Sequence, residues 1–292
     1  CKLIMNKAFL LCVLSYVLSL FAAVISSSFF IDGHLWKAIT VGHIVATLII
    51  YIASVLAKNS SFYDPFWSIA PLPIVLFLSF LSYEKDENLI KILVILVPIT
   101  YWSVRLTNNW RKGWKGLKHE DFRYIDLKTR FKKFPYLIDF FGIHLYPTLQ
   151  VNFSLFPLYY YFLYDFSTIP IALYIFSFFT ICAVILEHLA DEQMREFRSK
   201  PENKGKTMSR SLWKYSRHPN YLGEVLFWWG LYLMTLSVNS DFWWLFICPL
   251  SMTLMFTLVT CSMMDKRSLI NRPDYSAYMA KTSQLLLWRP KS

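Results

Sequence analysis

Long apolar runs separated by short charged segments dominate the chain. Eight can be marked, at about 8–31, 39–57, 66–83, 89–104, 142–164, 168–188, 221–238 and 242–262. A helix needs roughly 20 apolar residues to cross a hydrocarbon core about 30 Å thick, and it satisfies every backbone polar group within itself. The run at 89–104 is short, and 142–164 carries Pro147 and Pro157. The first run is long for the apolar region of a signal peptide, and no small-residue cleavage site follows it. The chain opens on Cys1 instead of methionine, as a truncated or processed N-terminus would. The pattern predicts an all-α, polytopic membrane bundle of about seven or eight transmembrane helices.

Composition agrees. Of 292 residues, 55% are hydrophobic, 18% aromatic and only 17% charged. A soluble globule has too little interior for that much apolar side chain, and a disordered chain is poor in aromatics. The five cysteines are scattered, and no CxxC or HExxH occurs, so neither a disulfide framework nor a metal site is expected. The eight glycines spell neither GxGxxG nor GxxxxGK[ST], which removes the usual nucleotide cradles.

Charge placement orients the spans through the bias of Lys and Arg toward the cytoplasm. With eight crossings, all 30 Lys and Arg except Lys37, Lys85 and Lys91 fall on one side or its margins. The other side holds Asp32, Glu84, Asp86, Glu87, Asp165 and Asp241. Both termini and the two long loops are therefore expected in the cytoplasm. The net charge of +11 is read as this topology signal and not as a nucleic-acid surface. The chain divides into a front half, 1–104, presumed to face substrate, and a rear half, 105–292. No internal repeat is found, against a transporter built from inverted repeats.

Polar residues gather where the rear spans meet the cytoplasm. On one helix end Glu187, Asp191 and Arg195 share a stripe, with His188 and Arg198 nearby. An exposed helix end with i,i+4 ion pairs would look similar. The block from Leu212 to Glu224, followed by Trp228, Trp229 and Gly230, is more telling. Pro219 suits the opening of a helix, which puts Glu224 one turn into an apolar span. A carboxylate there is costly and normally faces a cavity or a partner. Asn220, Gly223 and Glu224 lie on one face, with Gly223 leaving room for a flat ligand; alternatively Glu224 pairs with Arg217.

The run from Ser216 to Glu224, with Trp228, Trp229 and Gly230 after it, resembles the signature of the steroid 5α-reductase-like membrane family, in its uncharacterised bacterial-type branch. The resemblance covers roughly 101–290. It includes Glu120–Tyr124, Leu189–Asp191 with Arg195 and Arg198, Asp265–Arg267, Pro273–Tyr278 and Trp288–Pro290. It implies a fold that holds NADPH among the rear helices, entered from the cytoplasm. The reaction it implies is reduction of a carbon–carbon double bond conjugated to a carbonyl in a lipophilic substrate. By position, Asp191, Arg195 and Arg198 match the adenosine and phosphate contacts. Arg217 and His218 match the basic turn, and Asn220, Tyr221, Glu224 and Trp228 the nicotinamide stripe. Arg123 and Tyr275 belong to the accompanying cytoplasmic segments. Glu187 stands where several steroid-active relatives carry asparagine, and their Gln-Glu pair for the ketone is not evident, so the substrate is read only as steroid-like or another lipid.

The chemistry is consistent with this. Several phosphate charges call for arginines at the mouth, where a guanidinium can bind two oxygens at once. Addition to an enone needs a proton donor, for which Tyr63, Asp64 and Tyr101 are the candidates at front-half span ends. The same residue types also serve as interfacial anchors. Two other readings stay open. Isoprenylcysteine-type membrane methyltransferases share a similar Arg-His-Pro turn but bind S-adenosylmethionine, and a non-enzymatic scaffold could keep the fold. The expected setting is a bacterial inner membrane or the endoplasmic reticulum membrane, with membrane lipids as neighbours.

Overall fold

The computed structural model describes residues 2–31, 33–86, 88–166 and 168–291. Cys1, Asp32 and Glu87, which entered the reading of the terminus and of charge, lie outside them. Among the described residues there is no strand, and fifteen α-helices follow one another with short 3₁₀ and π segments. The first five are α1 (Lys2–Ser28), α2 (Leu35–Ala57), α3 (Phe66–Ile69), α4 (Pro71–Asp86) and α5 (Leu89–Gly113). Next come α6 (Phe122–Arg130), α7 (Pro135–Ile138), α8 (Tyr146–Ser154), α9 (Phe156–Leu163) and α10 (Ile171–Ser199). The last are α11 (Leu212–Tyr215), α12 (Pro219–Val238), α13 (Ile247–Leu254), α14 (Cys261–Asn271) and α15 (Tyr275–Lys281).

Among the described residues, seven helical stretches are long and apolar enough to cross a membrane: Lys7–Ser28, Leu35–Ala57, Ser60–Lys85, Leu89–Gly113, Ile171–Ser199, Pro219–Val238 and Ser240–Asn271. The protein is a multi-pass membrane protein. The eighth expected run, 142–164, is helical but broken into α8 and α9, after a π-helix over Asp139–Leu145. Pro157 cannot donate a backbone N–H to the preceding turn, and the helix is interrupted at Leu155.

The α1 helix shows how side chains are sorted in lipid. Leu10, Leu14, Leu18, Phe21 and Ile25 form an exposed stripe, while Ala8, Cys12, Ser15 and Ser19 are buried on the other face. Large apolar groups point outward and small ones toward protein, because lipid tails are as apolar as leucine and close packing decides helix pairing.

The chain forms two compact units. One comprises residues 1–88 with 99–163, the other 89–98 with 164–292. The first is organised around Cys12, Ala46, Ile50, Phe62, Tyr63, Phe66 and Ala70, and the Tyr16 hydroxyl donates to the Phe62 carbonyl at 2.5 Å. In the second, α10 and α12 lie against each other so closely that two glycines are required. A Cβ on Gly230 would come within 2.1 Å of Thr180 Oγ1. One on Gly223 would come within 2.6 Å of Glu187 Cβ and 2.7 Å of the Ala183 carbonyl oxygen.

Candidate functional site

In the second unit, the C-terminal end of α10 and the start of α12 bring the polar stripe together. Asn220 Nδ2 donates to Asp191 Oδ1 at 3.2 Å. Asn220 Oδ1 is shielded from solvent and has no hydrogen-bond partner. Glu224 is buried and its Oε1 accepts the indole N–H of Trp228 at 2.7 Å. The expected room beside Gly223 is taken by Glu187 and the α10 backbone, so this glycine serves helix packing and does not face a ligand. The stripe of Asn220 and Gly223 is a seam onto α10.

Arg217 and His218 face a carboxylate of the chain itself. Asp265, on α14 and buried, receives Arg217 Nη2 at 2.9 Å and lies 2.9 Å from His218 Nε2. Tyr275 donates its hydroxyl to the same carboxylate. Arg217 Nη1 also donates to the carbonyls of Met279 and Thr282, at 3.0 and 2.9 Å. The His218 ring stacks on Tyr221 with centroids 5.4 Å apart. Around this hub the C-terminal segment is stitched to the turn before α12. Ser216 pairs with Ser283, the Ser216 hydroxyl donates to the Leu285 carbonyl at 2.7 Å, and Tyr278 donates to the Trp213 carbonyl. Burial, then the bond to Asp265, pushes the Tyr275 hydroxyl well above its ordinary range. Three residues matched to cofactor contacts, Arg217, His218 and Tyr275, are therefore brought together, but on Asp265.

A different basic group lies at the end of α10. The Arg198 guanidinium, at the exposed end of α10, is in electrostatic reach of both Arg267 and Arg272, with Asp191 and Tyr221 also nearby. Arg195 turns back to Glu192 on its own helix. Arg272 was not singled out by sequence, although an arginine directly before Pro273 at a helix end was the available signal.

The proposed proton donors belong to the first unit. Tyr63 is buried, its hydroxyl 3.0 Å from Thr148 Oγ1, which lies 2.8 Å from Thr47 Oγ1. Asp64 Oδ1 accepts the Tyr124 hydroxyl at 2.5 Å and sits 3.7 Å from Arg123 Nη2. Arg123 also binds Asp121, which caps α6 by accepting the Arg123 backbone N–H at 2.8 Å. Burial, then the nearby Asp64 charge, pushes the Tyr124 hydroxyl far up. Tyr101 is exposed, and its neighbour Trp102 is fully buried against Trp67.

Sequence reasoning missed a chain of polar groups behind these residues, half-buried at Lys128 and Glu120 and buried from Ser60 onward. Lys128 Nζ binds Glu120 Oε1 at 2.5 Å and Ser60 Oγ at 3.1 Å, and Ser60 Oγ donates to Asp139 Oδ1 at 2.7 Å. His144 then bridges Asp139 and Ser54, its Nε2 3.0 Å from Ser54 Oγ. These residues lie up to about 90 positions apart, so no local spacing announces them.

Residues 50–282 match a family described as a protein of unknown function, DUF1295. The chain is 28% identical over 266 residues to an uncharacterized protein of Schizosaccharomyces pombe, covering 81% of this chain and 75% of that one. No solved structure matches it.

Proposed function

We propose, from the premise that the chain belongs to the DUF1295 family of proteins of unknown function, that it is a membrane-embedded NADPH-dependent reductase. Its substrate is a lipophilic molecule bearing a carbon–carbon double bond conjugated to a carbonyl. The observation that carries this reading is the gathering of Arg198, Arg267 and Arg272 beside Asp191 and Tyr221. Like charges brought within reach of one another at an exposed rim favour a multiply charged anion, and guanidinium groups match phosphate oxygens in geometry.

The residues fit such a dinucleotide in part. The three arginines would hold its phosphates, in place of Arg217 and His218, which are engaged with Asp265. Bound NADPH would supply the hydride. When hydride adds at the β-carbon of an enone, negative charge develops on the carbonyl oxygen and a proton is taken up at the α-carbon. Of the three candidate donors Tyr63 fits best, since it is buried and its hydroxyl continues into the Thr148–Thr47 pair. Asp64 is already engaged by the Tyr124 hydroxyl and by Arg123.

Ligand linkage tests the reading. Purified protein should gain melting temperature with NADPH, and Arg272→Ala should weaken NADPH affinity roughly 10- to 150-fold, by loss of a charge-assisted contact worth roughly 1.5–3 kcal/mol. Stabilisation by S-adenosylmethionine with none by NADPH would favour a methyltransferase instead.

A further inference from the structure

The stretch 281–291 closes into a small loop within the second unit. The Lys291 N–H donates to the Lys281 carbonyl at 2.9 Å, and the Trp288 N–H to the Tyr215 carbonyl at 3.1 Å. The Ser283 carbonyl accepts the Arg217 N–H at 2.8 Å, just before the span Pro219–Val238 opens. The Gln284 carboxamide donates at 3.2 Å to the Thr257 carbonyl, in the span Ser240–Asn271. A helix of 20 residues only just crosses the hydrocarbon, so Pro219 stands at the membrane boundary, and the loop is pinned beside it.

The groups this loop presents do not suit open water. Leu285 is buried, but Leu286 and Leu287 are exposed and Trp288 is 70% exposed, although none of the three belongs to a span. Lys214, Lys281, Arg289 and Lys291 stand exposed around them. From Tyr275 to Lys291 the chain carries no acid to offset these charges. There is space among them. A cavity of about 370 Å³ is bordered by Lys281, Ser283, Leu286, Trp288, Arg289 and Lys291. A second, of about 540 Å³, is bordered by Lys214, Tyr215, Leu287, Arg289 and Pro290, so that Arg289 faces both.

Cations and apolar side chains interleaved at a membrane boundary match a ligand that is itself anionic at one end and apolar at the other. Trp gathers in the headgroup layer, and Lys and Arg there attract anionic lipid. A guanidinium can take two phosphate oxygens at once. We propose that the 281–291 loop is a binding site for an anionic phospholipid of the host bilayer. Arg289, Lys281 and Lys291 hold its phosphate, while Leu286 and Trp288 lie against the upper part of its acyl chains. The loop is stitched to the turn that carries Arg217 and His218, so bound lipid braces that turn. The proposal is independent of the reductase reading.

The test titrates the full chain, in an uncharged detergent, with phosphatidylglycerol or with phosphatidylcholine of the same acyl chains, and reads melting temperature. Phosphatidylglycerol should act at roughly tenfold lower concentration or less, from three cations at an anionic surface. Lys281→Gln, Arg289→Gln and Lys291→Gln combined should abolish this preference and leave the response to phosphatidylcholine. Without lipid that variant should melt with the parent, because the three side chains are exposed. Lys204→Gln with Lys206→Gln, which borders neither cavity, should keep the preference; an equal loss there would reduce binding to net charge and overturn the site. Equal action of the two lipids on the parent would also overturn it. So would a shift by free glycerol 3-phosphate matching that by phosphatidylglycerol, since the ligand would then be a soluble phosphate. A second readout needs no charge variant: the fluorescence lost in Trp288→Phe should be the part that phosphatidylglycerol brominated on its acyl chains quenches in the parent. If that part is not quenched, Trp288 does not meet the lipid and the proposal falls.

Discussion

Ser177 Oγ on α10 donates at 2.7 Å to the carbonyl of Val94 on α5. That carbonyl is the one that Pro98, four residues later and inside α5, cannot engage, since proline has no N–H. A proline is tolerated in a membrane helix when a neighbouring hydroxyl satisfies the group it frees. Ser177→Ala should therefore destabilise the protein by about 1–3 kcal/mol, the cost of leaving a buried acceptor unmade. In a Pro98→Ala background, where residue 98 can again donate to Val94, the same change should cost much less. Melting temperatures of the four proteins of this cycle decide it; equal costs in both backgrounds would defeat the account.

Gly223 permits the approach of α12 to α10, so Gly223→Ala must move Glu187 or the Ala183 backbone. Overpacking of this kind typically costs about 1–3 kcal/mol. A lowered melting temperature with NADPH affinity changed only slightly is expected. A variant as stable as the parent would show that the seam has slack.

Asp265 satisfies Arg217, His218 and Tyr275 together. Removing one partner of a buried ion pair leaves an uncompensated charge and costs about 3–5 kcal/mol. Asp265→Asn should destabilise on that scale and make the segment 275–288 sensitive to protease. Unchanged cleavage there would mean that the hub does not hold the segment.

Acid should loosen the loop that follows α10. Burial works against ionisation of Asp274, but the hydroxyl and N–H of Thr207, at 2.7 and 3.0 Å, outweigh it and hold the carboxyl below its ordinary range. A depressed folded value means that the stabilisation is complete above the unfolded pKa of about 3.9 and fades as pH falls through the lower folded one. Hydrogen exchange at 201–211 should be faster in Asp274→Asn than in the parent at neutral pH. Below the folded value the difference should close.

The spans were legible because roughly 20 apolar residues leave few alternatives, and α1, α2 and α10 fall where the pattern put them. The run at 142–164 was marked as a span with Pro147 and Pro157 noted in it, and the structure interrupts it at Leu155, two residues before Pro157. Gly223 was read as room for a ligand, since a sequence cannot say which helix will lie against it; Glu187 fills that room. Arg217 looked available because its partner, Asp265, stands 48 positions later. Glu224 was recognisable as a buried carboxylate needing a partner, and the partner, Trp228, was one turn away.

The stitching of Ser216 to Ser283, and of the Trp288 N–H to the Tyr215 carbonyl at 3.1 Å, has a temporal side. The turn that opens α12 is translated some seventy residues before the strap that locks it. During synthesis α10 and α12 can already meet in the bilayer, yet the arginine and histidine between them must wait, unanchored, for the last stretch of chain to emerge. Maturation of this unit is thus a late event, and ribosome-bound nascent chains ending before position 283 should carry inserted helices with an unfinished polar rim.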